Sequence, residues 1–299
     1  MTKWLRENRQ TLIRGLGSLL ALSLLLILIR EEGDGELFSA VRRVAFEFFL
    51  LAVLALFISR LFAVGRWHIL LRSAGVHVTF LRSAQLTFTG NFASNFLPTT
   101  IGGDVARLAG AMQLGYDRAI CLASLVADRL IGMAGMGLAL PLGLIPVFSL
   151  DTGVSQEAAV SALYHKVVDF VKRTFESLSI WLKRPATLIS SLLSTLGNQA
   201  FIYLAIYLLL QGIDHHVDYW LVAGMYTLTY FVTLIPISIN GLGVQELSMT
   251  FLLVHLGGLT SSESATIALL TRILFIIASL PGAFFLPSIL AAMNERKEA

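Results

Sequence analysis

A single cysteine, Cys121, stands among 299 residues, which excludes an internal disulfide framework and a thiolate metal cluster. It lies in an apolar stretch and reads as a small core residue. Charge is scarce as well: Asp, Glu, Lys and Arg make up 14% of the chain against 56% hydrophobic residues. No polar segment between the apolar runs is long enough to build its own core, so a single membrane domain over 1–299 is expected. The phosphate-binding loop, the serine-hydrolase elbow and the zinc-binding helix motif are missing. "GGDVAR" follows no strand and has the wrong glycine spacing for a dinucleotide fingerprint. "DHHVD" at 214–218 has metal-ligand residue types, but in a tight loop it reads as a solvated polar turn. No catalytic residue, metal or cofactor is therefore expected.

What the chain does have is apolar length. A mean hydropathy of +0.76, with several runs long enough to cross a bilayer, indicates an all-α integral membrane protein. The net charge of +3 comes from basic residues beside apolar segments, so anionic lipid is the expected counter-charge and nucleic acid is not. About six transmembrane helices are predicted, at 15–29, 44–64, 119–147, 187–210, 219–235 and 263–290. The first lacks a cleavage site and reads as a signal-anchor, with an external loop reaching residue 40. Lys3, Arg6, Arg9 and Arg14, together with Arg60, Arg66, Arg72 and Arg82, face an acidic "EEGDGE" loop across that helix, which puts the N-terminus in the cytoplasm. Residues 155–185 alternate apolar and charged positions at helical spacing and predict an interfacial amphipathic helix. In a six-crossing scheme that helix is external, against the sense of its five basic residues.

Two stretches break the apolar pattern in the same way: "NFLPTTIGGDVARL" at 95–108 and "TLIPISINGLGVQEL" at 233–247. Aligned on Pro98 and Pro236, they set Gly102, Gly103, Asp104 and Arg107 against Asn240, Gly241, Leu242 and Gln245, with Glu246 following and Gly243 between. Downstream, "VADRLIGM" resembles "LLTRILFI", so Arg129 falls against Arg272, and Pro141 and Pro281 follow within about three turns. This predicts an inverted repeat, 41–150 and 186–299, of the kind found in transporters. Backbone unwound at Pro98, Gly102 and Gly103, or at Pro236, Gly241 and Gly243, survives in a membrane only when packed in protein or lining a wet cavity. Each echo is therefore expected to form a re-entrant broken-helix hairpin. The second half-helices are expected to be capped by Asp104 and Asn240, with their positive ends open to an anion.

Six ionisable residues need an explanation: Asp104, Arg107, Asp128, Arg129, Glu246 and Arg272. At roughly 2.5–3.5 kcal/mol each near mid-bilayer they must be paired or hydrated. Three acids and three arginines predict a mutually neutralising cluster around a cavity, with Glu47 and Arg60 as further candidates. Ser124, Asp128, Gly132, Gly135 and Ala139 share one face of the third predicted helix, where small residues permit close approach.

At "NFLPTTIGGDVARL", "ADRLIG" and "PISINGLGVQE" the sequence resembles the flippase-like family, which is similar to the transmembrane region of lysylphosphatidylglycerol synthases. The resemblance covers about residues 40–290. It assigns Asn95, Asp104 and Arg107 to the first motif, Asp128 and Arg129 to the second, and Gly241, Gly243 and Glu246 to the third; Asn240 stands where the family often has glycine. It implies a lipid translocator in a bacterial-type plasma (inner) membrane. Asn95, Asp104, Arg107, Asp128, Arg129, Asn240, Glu246 and Arg272 would bind an anionic or zwitterionic phospholipid headgroup. After Pro287 only "SILAAMNERKEA" remains, so lysyl transfer to lipid is not expected. Two other roles are open on the same residues: an enzyme acting on a headgroup or polyprenyl phosphate, and a subunit that docks a separate synthase or glycosyltransferase through the helix around Trp181.

Overall fold

The computed structural model describes residues 44–95, 102–149, 184–235 and 238–285. The predicted helix at 15–29, the amphipathic segment at 155–185, Pro98 and Pro236 lie outside these ranges, apart from the last two positions of the amphipathic segment. Eight α-helices occur among the described residues and no strand: α1 Phe46–Ser73, α2 Phe80–Ser94, α3 Gly102–Gln113, α4 Arg118–Ser149, α5 Pro185–Gln211, α6 Tyr219–Thr233, α7 Val244–His255 and α8 Ser261–Ser279. One order of lengths occurs twice. A helix of 28 residues is followed by helices of 15, 12 and 32, and one of 27 by helices of 15, 12 and 19.

Among the described residues, four helical stretches are long and apolar enough to cross a membrane: Phe46–Ser73, Arg118–Phe148, Pro185–Gln211 and Ser261–Phe284. They carry the large exposed apolar side chains that lipid would cover, among them Leu50, Leu54, Val126, Leu138, Ile189, Leu193 and Ile273. The crossing predicted at 219–235 is not among these four stretches. Helix α6 has 15 residues, a rise of about 22 Å, which falls short of a hydrocarbon core of about 30 Å.

Helices α1 and α5 form the most extensive pair, and they run antiparallel. At one end the Ala45 N–H donates to the Gly212 carbonyl at 2.9 Å; midway Ser59 meets Asn198; at the other end the Arg184 guanidinium donates to the Ser73 carbonyl. Helix α4 packs beside them, with Trp67 Nε1 donating to Ser124 Oγ at 3.0 Å. The α2–α3 pair returns to the end at which it began, because Val76 and Val78 before α2 share one apolar cluster with Ala111 and Cys121 after it. The α6–α7 pair does the same at the opposite end, where the His215 ring meets the Gly257 carbonyl at 3.1 Å.

Local chemistry fixes where these helices start. Asp218 caps α6 by accepting from the Trp220 and Leu221 N–H groups, and Thr260 with Glu263 forms a reciprocal capping box on α8. "DHHVD" is thus a turn that begins a helix. Among the described residues no three His, Cys, Asp or Glu side chains converge as a metal site would require.

Glycine sets three backbone-to-backbone crossings. A Cβ at Gly90 would lie 2.7 Å from the Gly103 oxygen, which holds α2 against α3. One at Gly143 would strike the Gly224 carbonyl, joining α4 to α6, and one at Gly282 would strike the Phe88 carbonyl, joining the end of α8 to α2. Each long helix that closes a set of four therefore locks onto the first short helix of the other set.

Candidate functional site

The two chain breaks, between α2 and α3 and between α6 and α7, face a cavity of ≈ 380 Å³. Its walls come from every helix except α5. Helix α1 gives Arg60 and Arg66, α2 gives Asn91 and Ser94 with Asn95 just past its end, and α3 gives Asp104. Helix α4 adds Asp128 and Arg129, α6 adds Tyr226 and Tyr230, the turn before α7 adds Asn240 and Gly241, and α8 adds Arg272, Phe275 and Ser279.

An unbroken chain of alternating charges runs along one wall. Arg66 Nε lies 2.6 Å from Asp128 Oδ1, and Asp128 Oδ2 lies 3.0 Å from Arg107 Nη1. The same Arg107 nitrogen lies 3.4 Å from Asp104 Oδ1, and the other Asp104 oxygen pairs with Arg129. Arg66 is seated against Gly132, where a Cβ would come within 3.2 Å of its Nη1, and it donates to Thr195 Oγ1. The Arg107 guanidinium lies over the Trp67 ring at 4.1 Å. Asp128 is almost completely buried, so both of its oxygens need the cations they have.

The opposite wall is a separate pair. Arg272 Nε lies 2.8 Å from Glu246 Oε1, and Glu246 Oε2 accepts the Gly243 N–H at 2.7 Å. Arg272 also reaches the Asn240 carbonyl at 3.4 Å and Gln245 at 3.5 Å. Asn95 donates to Ser279 Oγ at 2.8 Å, tying the first break to the end of α8.

Of the eight residues expected to bind a headgroup, Asn95, Asp104, Asp128, Arg129, Asn240 and Arg272 line the cavity. Arg107 and Glu246 do not. They are 7% and 4% exposed and sit behind the wall, holding Asp104, Asp128 and Arg272 in place. Of the structural breaks, Gly102 and Gly103 open α3, while Gly241 and Gly243 take left-handed φ values of 70° and 80° between α6 and α7.

Two expectations about helix caps are corrected. Asp104 is not a cap; it lies inside the first turn of α3, facing Arg107 and Arg129. Asn240 is not a cap either, since it adopts φ 48°, ψ 34° in the turn Ile239–Gly241 and α7 begins four residues later. At the start of α7 the protein's own Glu246 takes up the Gly243 N–H, while Asp104 stands in the first turn of α3. The six charges expected to neutralise one another do pair, Asp104 and Asp128 with Arg107, Asp104 with Arg129 and Glu246 with Arg272, and Arg66 joins them on Asp128. Glu47 lies exposed at the start of α1 and takes no part.

Arg66, Asn91, Tyr226, Tyr230, Gln245 and Ser279 belong to the site without having been expected there. Only Arg66 left a trace in the sequence, since apolar residues continue past 64 through "LFAVGRWHILL" and place it inside α1. The others are polar residues of a common kind in membrane helices, and only the fold assembles them.

No curated protein matches the chain. The family model described as "Lysylphosphatidylglycerol synthase TM region" matches it in two overlapping stretches, residues 15–168 and 152–282. Membrane-length helices carry the same motifs around a charged interior, and the chain is a multi-pass membrane protein belonging to the lysylphosphatidylglycerol synthase transmembrane-region family.

Proposed function

We propose that this protein is a translocator, not an enzyme, and that it moves the polar head of a membrane lipid through the cavity while the acyl chains stay in the bilayer. The observation that carries the reading is the cavity itself: a space of ≈ 380 Å³ with an arginine-rich lining, into which both interrupted helix pairs face, inside a bundle of membrane length. The α2–α3 and α6–α7 pairs enter from opposite faces and meet near the midplane, so the same residues can be offered to either leaflet as the two sets of helices rock. Exposed Arg72, Arg82, Arg118 and Arg184, against Asp117, lie at the end where α1 finishes, and Glu47, Asp214, Asp218 and Glu263 lie at the other. The basic end is cytoplasmic by the positive-inside rule.

Arg129 is the natural first contact, with 41% of its side chain exposed while its Nε is held by Asp104. Liposomes containing fluorescent phospholipids and the purified protein test this. Arg129→Ala is expected to slow lipid exchange about tenfold, the equivalent of one charge-assisted hydrogen bond. Equal exchange by wild type and Arg129→Ala, or no exchange above empty liposomes, refutes the reading.

A further inference from the structure

One face of α4 runs from the lipid surface into the cavity without a break. Leu122, Val126, Arg129 and Met133 follow one another at helical spacing, within about 60° around the axis. The two nearer the basic end, Leu122 and Val126, are 49% and 50% exposed, and the other two line the cavity. From Arg118 to Arg129 the helix rises about 16 Å, roughly half of a hydrocarbon core of about 30 Å. The end of α6 repeats the pattern: Leu234 lines the cavity and is itself exposed, as is Ile235 beside it. The same positions in the second set of helices are shut. With Arg129 aligned on Arg272, Leu122 falls against Ala265, which is fully buried, and Val126 against Leu269, which is partly buried. Arg272 has 17% of its side chain exposed against 41% for Arg129.

A soluble anion approaching along the α4 face would pass two apolar side chains at bilayer depth before it met a charge, with nothing to replace its hydration. A lipid meets no such barrier, because its chains can lie on Leu122 and Val126 while its head turns inward to Arg129. Building on the transport reading, we infer that lipid enters the cavity sideways along the α4 face, from the leaflet at the basic end, with its acyl chains against Leu122 and Val126. The corresponding face of α8, covered at Ala265, gives the opposite leaflet no such entry in this structure.

Phosphatidylglycerol bearing a photoactivatable diazirine on its head, in liposomes holding the purified full chain, tests this, with adducts located by mass spectrometry. Wild type is expected to be labelled in α4 at Arg129–Met133, a depth that headgroups of the surrounding bilayer do not reach. Val126→Trp and Leu122→Trp, which add bulk at half-exposed sites, are each expected to cut that labelling and lipid exchange at least about fivefold, at an SDS-unfolding midpoint like that of wild type. Leu193→Trp, also exposed but on α5 away from the cavity, is expected to leave both within about twofold. No labelling of α4 in wild type, or labelling unchanged in both α4 variants, overturns the inference. Equal labelling by the deacylated, water-soluble form of the probe also overturns it, since the head then arrives from water. Labelling of α4 that Val126→Trp suppresses, with no lipid exchange in liposomes, supports this inference and refutes transport. Lipid exchange that persists while both α4 variants are labelled like wild type refutes this inference and leaves transport standing.

Discussion

Asp128 and Arg60 illustrate opposite sides of one electrostatic rule. Asp128 is buried and holds two arginines, Arg66 at 2.6 Å and Arg107 at 3.0 Å. Removing its charge strands both cations in a poorly solvated wall, so Asp128→Asn is expected to lower stability by about 3–5 kcal/mol, read by unfolding in mixed micelles with SDS. Arg60 is the reverse case, a cation whose loss strands nothing. Arg60→Met is expected to raise stability in the absence of lipid by about 1 kcal/mol or more in the same assay. Both charges were visible as residues in the sequence, but their difference was not. Asp128 stands out because an acid inside an apolar run is costly and needs a partner. Arg66, its partner, sits 62 positions away among arginines that read as a cytoplasmic flank, since the crossing was expected to end at 64 and α1 runs on to Ser73. Nine more residues of helix turn a surface charge into an interior one.

The helices meet through glycine, and that constraint is specific to position. Gly143 and Gly224 bring α4 and α6 so close that a Cβ on either would overlap the other's backbone, whereas a Cβ at Gly65 on α1 meets nothing within 4 Å. Gly224→Ala is therefore expected to cost about 1–3 kcal/mol through overpacking, while Gly65→Ala gains up to about 1 kcal/mol from helix propensity. SDS unfolding of the two variants side by side checks this, and equal effects would mean that the α4–α6 contact yields to an added methyl group. The sequence announced both breaks through paired glycines, but it could not say what each would touch. Proline and glycine report that backbone hydrogen bonds are interrupted; the atoms that replace them come from elsewhere in the chain. Glu246 shows the limit best. It was read as lining a cavity, and it instead accepts the Gly243 N–H and the Arg272 guanidinium together, bracing a turn whose glycines sit at positive φ.

At the scale of the whole molecule the antiparallel pairing of α1 with α5 governs everything else. Two sets of helices with the same order of lengths, packed head to tail, put the loop before α2 and the loop before α6 at opposite ends of the bundle. The sequence carried this as an echo between two motifs, yet an echo alone fits a parallel duplication equally well. Orientation depends on the parity of crossings, and parity is what a marginal helix such as α6 and a connection such as 150–183 leave undetermined. The arrangement predicts a labelling pattern. In a Cys121→Ser background, where no other thiol remains, His77→Cys before α2 and His216→Cys before α6 are both exposed at loop positions. If the proposed orientation holds, a membrane-impermeant maleimide applied to intact cells should label the acidic-end position, His216→Cys, and spare His77→Cys until the membrane is opened, because the positive-inside rule assigns the end bearing Arg72, Arg82, Arg118 and Arg184 to the cytoplasm. Labelling of both positions from the same side would mean that the two broken-helix pairs open toward one leaflet. A cavity shared between them could then no longer be offered alternately to the two faces, which is the geometric step that lipid transport requires.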